Sequence, residues 1–270
     1  MFILFASCAL LAMSSSPKTN IPDVSESSVR IMPVARTPES GTVNLRIAYP
    51  TEDKVYQNPV WIQFRIDGYS LGSASQFERA SEIKVSNMGQ TVHVIIDNEP
   101  YFAINEPAID PYDESGFYYD MSYKFEVPHR LDKGVHTIRM FPARSFGESL
   151  KGDHTFAVTQ FYVGEEQGNL NVDLTDPYLT FNEPNDKMTF NENQPILLDF
   201  LVSNAELSSD GYKVKVTVDD KISRVITSWQ PFYLYGLKEG KHSIRLELLG
   251  VDNKIVPGPF NSVTRTIIVR

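Results

Sequence analysis

The sequence predicts an all-β protein: two tandem immunoglobulin-like β-sandwich domains after a signal or lipidation segment and a flexible tether. Three observations predict this. Apolar residues alternate with a period of two in short runs bounded by Gly, Pro, Asn and Asp. One block of the chain recurs at an offset of 106 residues. The chain opens on an uncharged, mostly apolar segment, and a Ser/Pro-rich stretch follows it.

The alternation comes first. In the run from Val60, the residues Val60, Ile62, Phe64 and Ile66 share one face. Val92, Val94 and Ile96 do the same, as do Val214, Val216 and Val218 in the second half. Such runs are strands with one face in a core. No window of similar strength has helical periodicity, and the 17 prolines are spread along the chain.

The repeat divides the chain. Leu131-Asp-Lys-Gly134-Val-His136-Thr-Ile138-Arg139 matches Leu237-Lys-Glu-Gly240-Lys-His242-Ser-Ile244-Arg245 at five of nine positions. The same offset aligns Phe161 to Val163 with Ile267 to Val269. Val92 to Asp97 matches Val214 to Asp219 at an offset of 122, so the first copy carries 16 extra residues before Leu131. Further upstream, Pro59-Val60 and Phe64 match Pro195-Ile196 and Phe200. The expected organisation is a signal or lipoprotein segment plus tether over 1–40, one sandwich over 41–166 and a second over 170–270. A junction at Glu165 to Asn169 is short enough to predict a semi-rigid rod.

The Leu-x-x-Gly-x-His-x-Ile pattern, followed in the second copy by Asp252-Asn253-Lys254, resembles the late hairpin of bacterial immunoglobulin-like repeats. The first copy departs after Arg139, where Phe141 to Lys151 replaces the Asp turn, and that segment resembles bacterial envelope lipoproteins. The resemblance implies fold and says nothing of activity. Within the pattern, Gly134 and Gly240 supply the positive φ of a turn. His136 and His242 share parity with core residues, so each ring is expected to point inward and hydrogen-bond loop backbone. Metal ligation would need a second ligand at suitable spacing, which the sequence does not offer.

Composition excludes several functions. Net charge is -9 and no basic stripe is present, which disfavours nucleic acid and electrostatic adhesion to anionic membranes. The single cysteine, Cys8, lies in the apolar N-terminus, so the sandwiches are expected to hold no disulfide and no thiolate metal site. No Gly-x-Ser-x-Gly elbow, His-Glu-x-x-His pair or phosphate-cradling glycine loop is found. The chain is therefore expected to be no enzyme and to need no cofactor.

Met1 to Met13 is too short to span a bilayer but fits the apolar core of an export signal. Phe5-Ala6-Ser7-Cys8 resembles a lipobox, which implies acylation at Cys8 and membrane contact through a lipid anchor. Ordinary secretion with an incidental Cys, or no export, are the alternatives. Ser14 to Ser40 reads as a tether.

Two surfaces are candidates for binding. The insertion from Asn98 to Arg130 holds eight aromatics between Tyr101 and Phe125, together with several acids. Rings and carboxylates together suit sugar or peptide recognition, which nominates Tyr112, Asp113, Glu114, Phe117, Tyr118 and Tyr119. The same rings could instead plug the end of the sandwich. Arg139, Arg144, Glu148 and Lys151 could clamp an acidic group of a partner, or pair within the chain. The expected function is a noncatalytic, envelope-anchored binding or spacer module for a protein or glycan. An accessory domain pair of an envelope enzyme complex is the alternative, and a glycan hydrolase ranks last.

Overall fold

The computed structural model describes residues 29–39, 41–106, 122–166 and 172–270. Strand β1 is Arg30–Pro33. Unit one then holds β2 (Asn44–Tyr49), β3 (Val55–Tyr56), β4 (Trp61–Asp67), the short helix α1 (Arg79–Glu82), β5 (Thr91–Ile96), β6 (Phe102–Ile104), β7 (Ser122–Glu126), β8 (Gly134–Ala143) and β9 (Ala157–Val163). Unit two holds β10 (Tyr178–Glu183), β11 (Thr189–Phe190), β12 (Ile196–Ser203), β13 (Lys213–Val218), β14 (Ile222–Ile226), β15 (Phe232–Tyr235), β16 (Gly240–Leu249) and β17 (Ser262–Val269).

Each unit is a two-sheet sandwich, and the two have one topology. Unit one pairs β2-β4-β7 in one sheet and β3-β9-β8-β5-β6 in the other. Unit two pairs β10-β12-β15 and β11-β17-β16-β13-β14 in the same order. Even the short parallel pairing recurs, as β3 with β9 and β11 with β17. Two tandem immunoglobulin-like sandwiches follow from that strand order. The alternating residues do what their period requires: Val60, Ile62, Phe64, Ile66, Val92, Val94 and Ile96 lie in one core, and Val214, Val216 and Val218 in the other. Gly134 and Gly240 enter their strands at φ of 128° and 143°.

The Asp–His pair is repeated as closely as the strands. The His136 Nδ1 and Nε2 lie 2.8 Å from Asp97 Oδ2 and 2.9 Å from the Asp132 carbonyl. Those of His242 lie 2.7 Å from Asp219 Oδ2 and 2.8 Å from the Lys238 carbonyl. In each copy the second carboxylate oxygen accepts the next backbone N–H, from Thr137 or Ser243. Both aspartates sit at positive φ, 53° and 51°, which Asp tolerates better than most residues. Each Asp–His pair thus ties the turn after one strand to the start of its neighbour.

Two expectations need correction. The tether expected to run to residue 40 ends sooner. Residues Arg30 to Pro33 form β1, which pairs antiparallel with β15 and covers that edge of unit two. The cause is apolar: Ile31 is buried in the core of unit two and Val29 packs against it. An uncovered edge is costly, and β1 closes it.

The units also do not form a rod. The outer face of β5 and β8 packs on the outer face of β10 and β12, giving four layers of sheet. Ile95 and Phe141 of unit one meet Leu201 of unit two, while Ile83 and Phe146 meet Leu197 and Tyr233. This is why β5, β8 and β12 are buried along nearly their whole length rather than on alternate residues. Strands covered on both faces lose the alternating pattern.

Candidate functional site

The chemistry-bearing side chains gather at the seam between the units. Asp199, on β12, is fully buried. It accepts from Lys151 Nζ at 2.6 Å, from the Ser149 N–H at 3.0 Å and hydroxyl at 2.5 Å, and from Asn182 Nδ2 at 2.7 Å. A buried carboxylate is tolerated only with such partners. Nearby, Glu148 pairs with Arg79 at 2.9 Å and accepts from the Thr37 N–H and hydroxyl. The Arg79 guanidinium also donates to Tyr233 Oη at 3.1 Å and to the Ala35 carbonyl. Residues 35–39, the helical insertion, unit one and unit two therefore meet on one network.

Arg139 is a further buried charge. It donates to the Leu179 carbonyl at 3.0 Å, to Thr180 Oγ1 at 3.1 Å and to the Asp97 carbonyl, and it lies 3.9 Å over the Phe260 ring. Burial pulls its pKa down to about 9, which leaves it charged at neutral pH.

Beside this network is a cleft of about 360 Å³, lined by both units. Its polar floor is His93 and Tyr101 from unit one and Glu183 from unit two. The His93 ring stacks on Tyr101 at 3.7 Å, and its Nδ1 lies 2.7 Å from Asn182 Oδ1. Asn182 Nδ2 donates to the Gly147 carbonyl and to Asp199, so its oxygen must accept from His93. That fixes the tautomer: Nδ1 carries the proton, and Nε2 keeps its lone pair. Burial holds the His93 pKa down at about 4, against a smaller upward pull from Asn182 and Asp199. Tyr101 Oη lies 2.6 Å from Glu183 Oε1. Burial raises the Glu183 carboxyl to about 8, opposed by its bonds from Tyr101 and the Asn185 N–H, so it is largely protonated at neutral pH.

The predicted site residues divide sharply. Arg139, Glu148 and Lys151 all lie inside the seam, but in separate sets of bonds that go to other residues of this chain. They do not form the partner clamp expected of them, because unit two already covers them. Arg144 stays half-exposed at the cleft and donates to the Pro38 carbonyl at 2.8 Å. Tyr112, Asp113, Glu114, Phe117, Tyr118 and Tyr119 lie outside the described residues, as does Cys8. The described aromatics of the same insertion are structural. Tyr123 stacks on Phe64 in the core at 4.9 Å, Phe102 meets Phe125 edge-on at 5.6 Å, and Tyr101 stacks on His93.

Sequence reasoning missed His93, Glu183 and Asp199. A second insertion, residues 68–90 between β4 and β5, was also missed. Its signal was present: the offset between the copies falls from 136 at Val60 to 122 at Val92. This segment carries Arg79 and Ile83 against unit two.

No known protein-family model matches the chain, and no curated protein does. Among solved structures it is similar to the fibronectin(III)-like modules of Clostridium thermocellum CbhA, with 14% identity and a TM-score of 0.28, over 84% of this chain and 94% of that one. A second similarity is to the Bacteroides ovatus mixed-linkage glucan utilization locus protein SGBP-B, solved with a mixed-linkage heptasaccharide. Identity is 13% and the TM-score 0.20, over 84% of this chain and 47% of that one. A third is to CBD12 from CALX1.2, with 7% identity and a TM-score of 0.20, over 83% and 99%. Likenesses this weak carry no argument about function, and the fold stands on the strand order of the two units.

Proposed function

We propose that the chain is a noncatalytic binding or spacer module of the cell envelope, anchored through Cys8, that presents its two docked sandwiches to a protein or glycan partner. One observation carries the noncatalytic part. His93, Glu183 and Arg139 owe their pKa shifts chiefly to burial between the units, and each is bonded within the chain. Perturbed groups often mark active sites, but structural networks perturb pKa values too. Among the described residues, no Ser, Thr or Cys nucleophile is hydrogen-bonded to His93.

Partner recognition is assigned to the insertion, at Tyr112, Asp113, Glu114, Phe117, Tyr118 and Tyr119. Its described N-terminal end supports this, since Ala103 lines the cleft and Asn105 Nδ2 donates to the carbonyl of Met88, another lining residue. The segment therefore leaves the fold beside a concave surface, where recognition loops commonly sit.

Fractionation and capture test the proposal together. The full-length protein should partition with membranes, and Cys8→Ser should release it to a soluble fraction or block its processing. Deleting residues 106–120 should abolish capture of the envelope partner without lowering the melting temperature of the chain. A wild-type protein found soluble in the cytoplasm, or turnover of a glycan by the purified chain, would overturn it.

A further inference from the structure

The cleft at the seam is positively charged on a chain of net charge -9. Lys84 and Arg144 line it, and Glu183 is the one acid among its described lining residues. Two cations thus face one acid, whose ionisation burial disfavours. Lys84 is exposed; its Nζ makes a long bond, 3.3 Å, to the Thr189 carbonyl and lies 5.9 Å over the Phe190 ring. Apolar lining comes from Phe146, Phe190, Leu197, Met88 and Val85. Met88 and Val85 are 36% and 39% exposed, unusual for large apolar side chains, and both belong to the insertion that unit two lacks. On the floor, His93 Nε2 offers a lone pair that no described residue uses.

We propose that this cleft binds a small amphipathic anion, with its apolar body against Met88, Phe146 and Phe190 and its acidic head near Lys84 and Arg144. His93 Nε2 accepts from a hydroxyl or N–H on the ligand. The volume, about 360 Å³, suits one compact ligand. An apolar pocket with few, convergent polar groups is the usual form of such sites. Because both units line the cleft, the ligand holds them together, and occupancy stabilises the docked body by mass action. The inference is independent of the envelope reading, since it requires neither the lipid nor a macromolecular partner.

The probe is 1-anilinonaphthalene-8-sulfonate, an amphipathic anion that carries an N–H donor, titrated into the native protein and followed by fluorescence. The expected result is saturable binding at a single site, with a rise in melting temperature. Lys84→Glu should weaken binding about tenfold, the order expected when a rim cation is reversed in partly solvated surroundings. Ala103→Trp should fill the cleft and abolish binding. If that variant fails to fold, Lys84→Glu carries the test, because Lys84 is exposed and its reversal leaves the core intact. The uncharged probe N-phenyl-1-naphthylamine separates the anion from a merely apolar guest and should bind about tenfold more weakly. Unsaturable binding, indifference to Lys84→Glu, or equal binding of the neutral probe would each overturn the proposal.

Discussion

At the residue scale, two histidines, His136 and His93, show how surroundings set charge. His136 is pulled down by burial, but its bonds to Asp97 and the Asp132 carbonyl outweigh that, so its pKa is raised. Its contribution to stability is present below the ordinary value of 6.5 and is lost as pH rises through the raised value. His93 behaves oppositely. Its pKa is lowered to about 4, so its contribution is present above 6.5 and is lost as pH falls through about 4. Imidazole NMR on the intact chain should show His136 titrating above 6.5 and His93 near 4. A His93 midpoint near 6.5 would mean the seam is open to water. His242 repeats the Asp bond of His136, and that pairing was legible: both copies of the aligned motif end on an Asp, Asp97 and Asp219. The inward histidines and their loop carbonyls follow from parity alone. The carboxylate partner follows only once the two separate offsets are combined.

At the element scale, β1 departs furthest from the expectation. Ser, Pro and charged residues dominate 14–40, and composition there reads as tether. The deciding residues are few, chiefly Val29 and Ile31, and they need a partner edge that is more than 190 residues away in sequence. Nothing local announces such a strand. The structure gives it a measurable energy. Ile31→Ala should destabilise the protein by about 2–4 kcal/mol, as for other buried Ile truncations, read from the denaturant midpoint. If residues 29–33 were a free tether, the substitution would leave the midpoint unchanged. The insertion carrying α1 was hidden for a related reason. Its length is visible in the change of offset, but its role depends on Tyr233 and Leu197 of the other unit.

At the scale of the whole molecule, the sandwiches were legible and their docking was not. Period-2 alternation reports one face of a strand. The second face of β12 was written in the same residues, as the continuous run Ile196-Leu197-Leu198-Asp199-Phe200-Leu201, which signals a strand covered on both sides. Asp199 interrupts that run, and its burial becomes reasonable only with Lys151, Ser149 and Asn182 around it. The charged cluster of the first copy was recognised as a cluster and as a possible internal ion-pair set. Pairing within the chain was open to it from the sequence alone; the structure supplies the partners, several of them on the opposite unit. A seam built on buried, mutually bonded charges tolerates little slippage, since separating the units strands each charge without its partner.

The central claim is therefore that two sandwiches of one topology behave as one body. Scanning calorimetry of the intact chain tests it most directly. The account predicts a single transition whose calorimetric and van't Hoff enthalpies agree, because neither unit can unfold without exposing the seam of the other. Two resolved transitions, or a calorimetric enthalpy about twice the van't Hoff value, would show units melting independently and would contradict it.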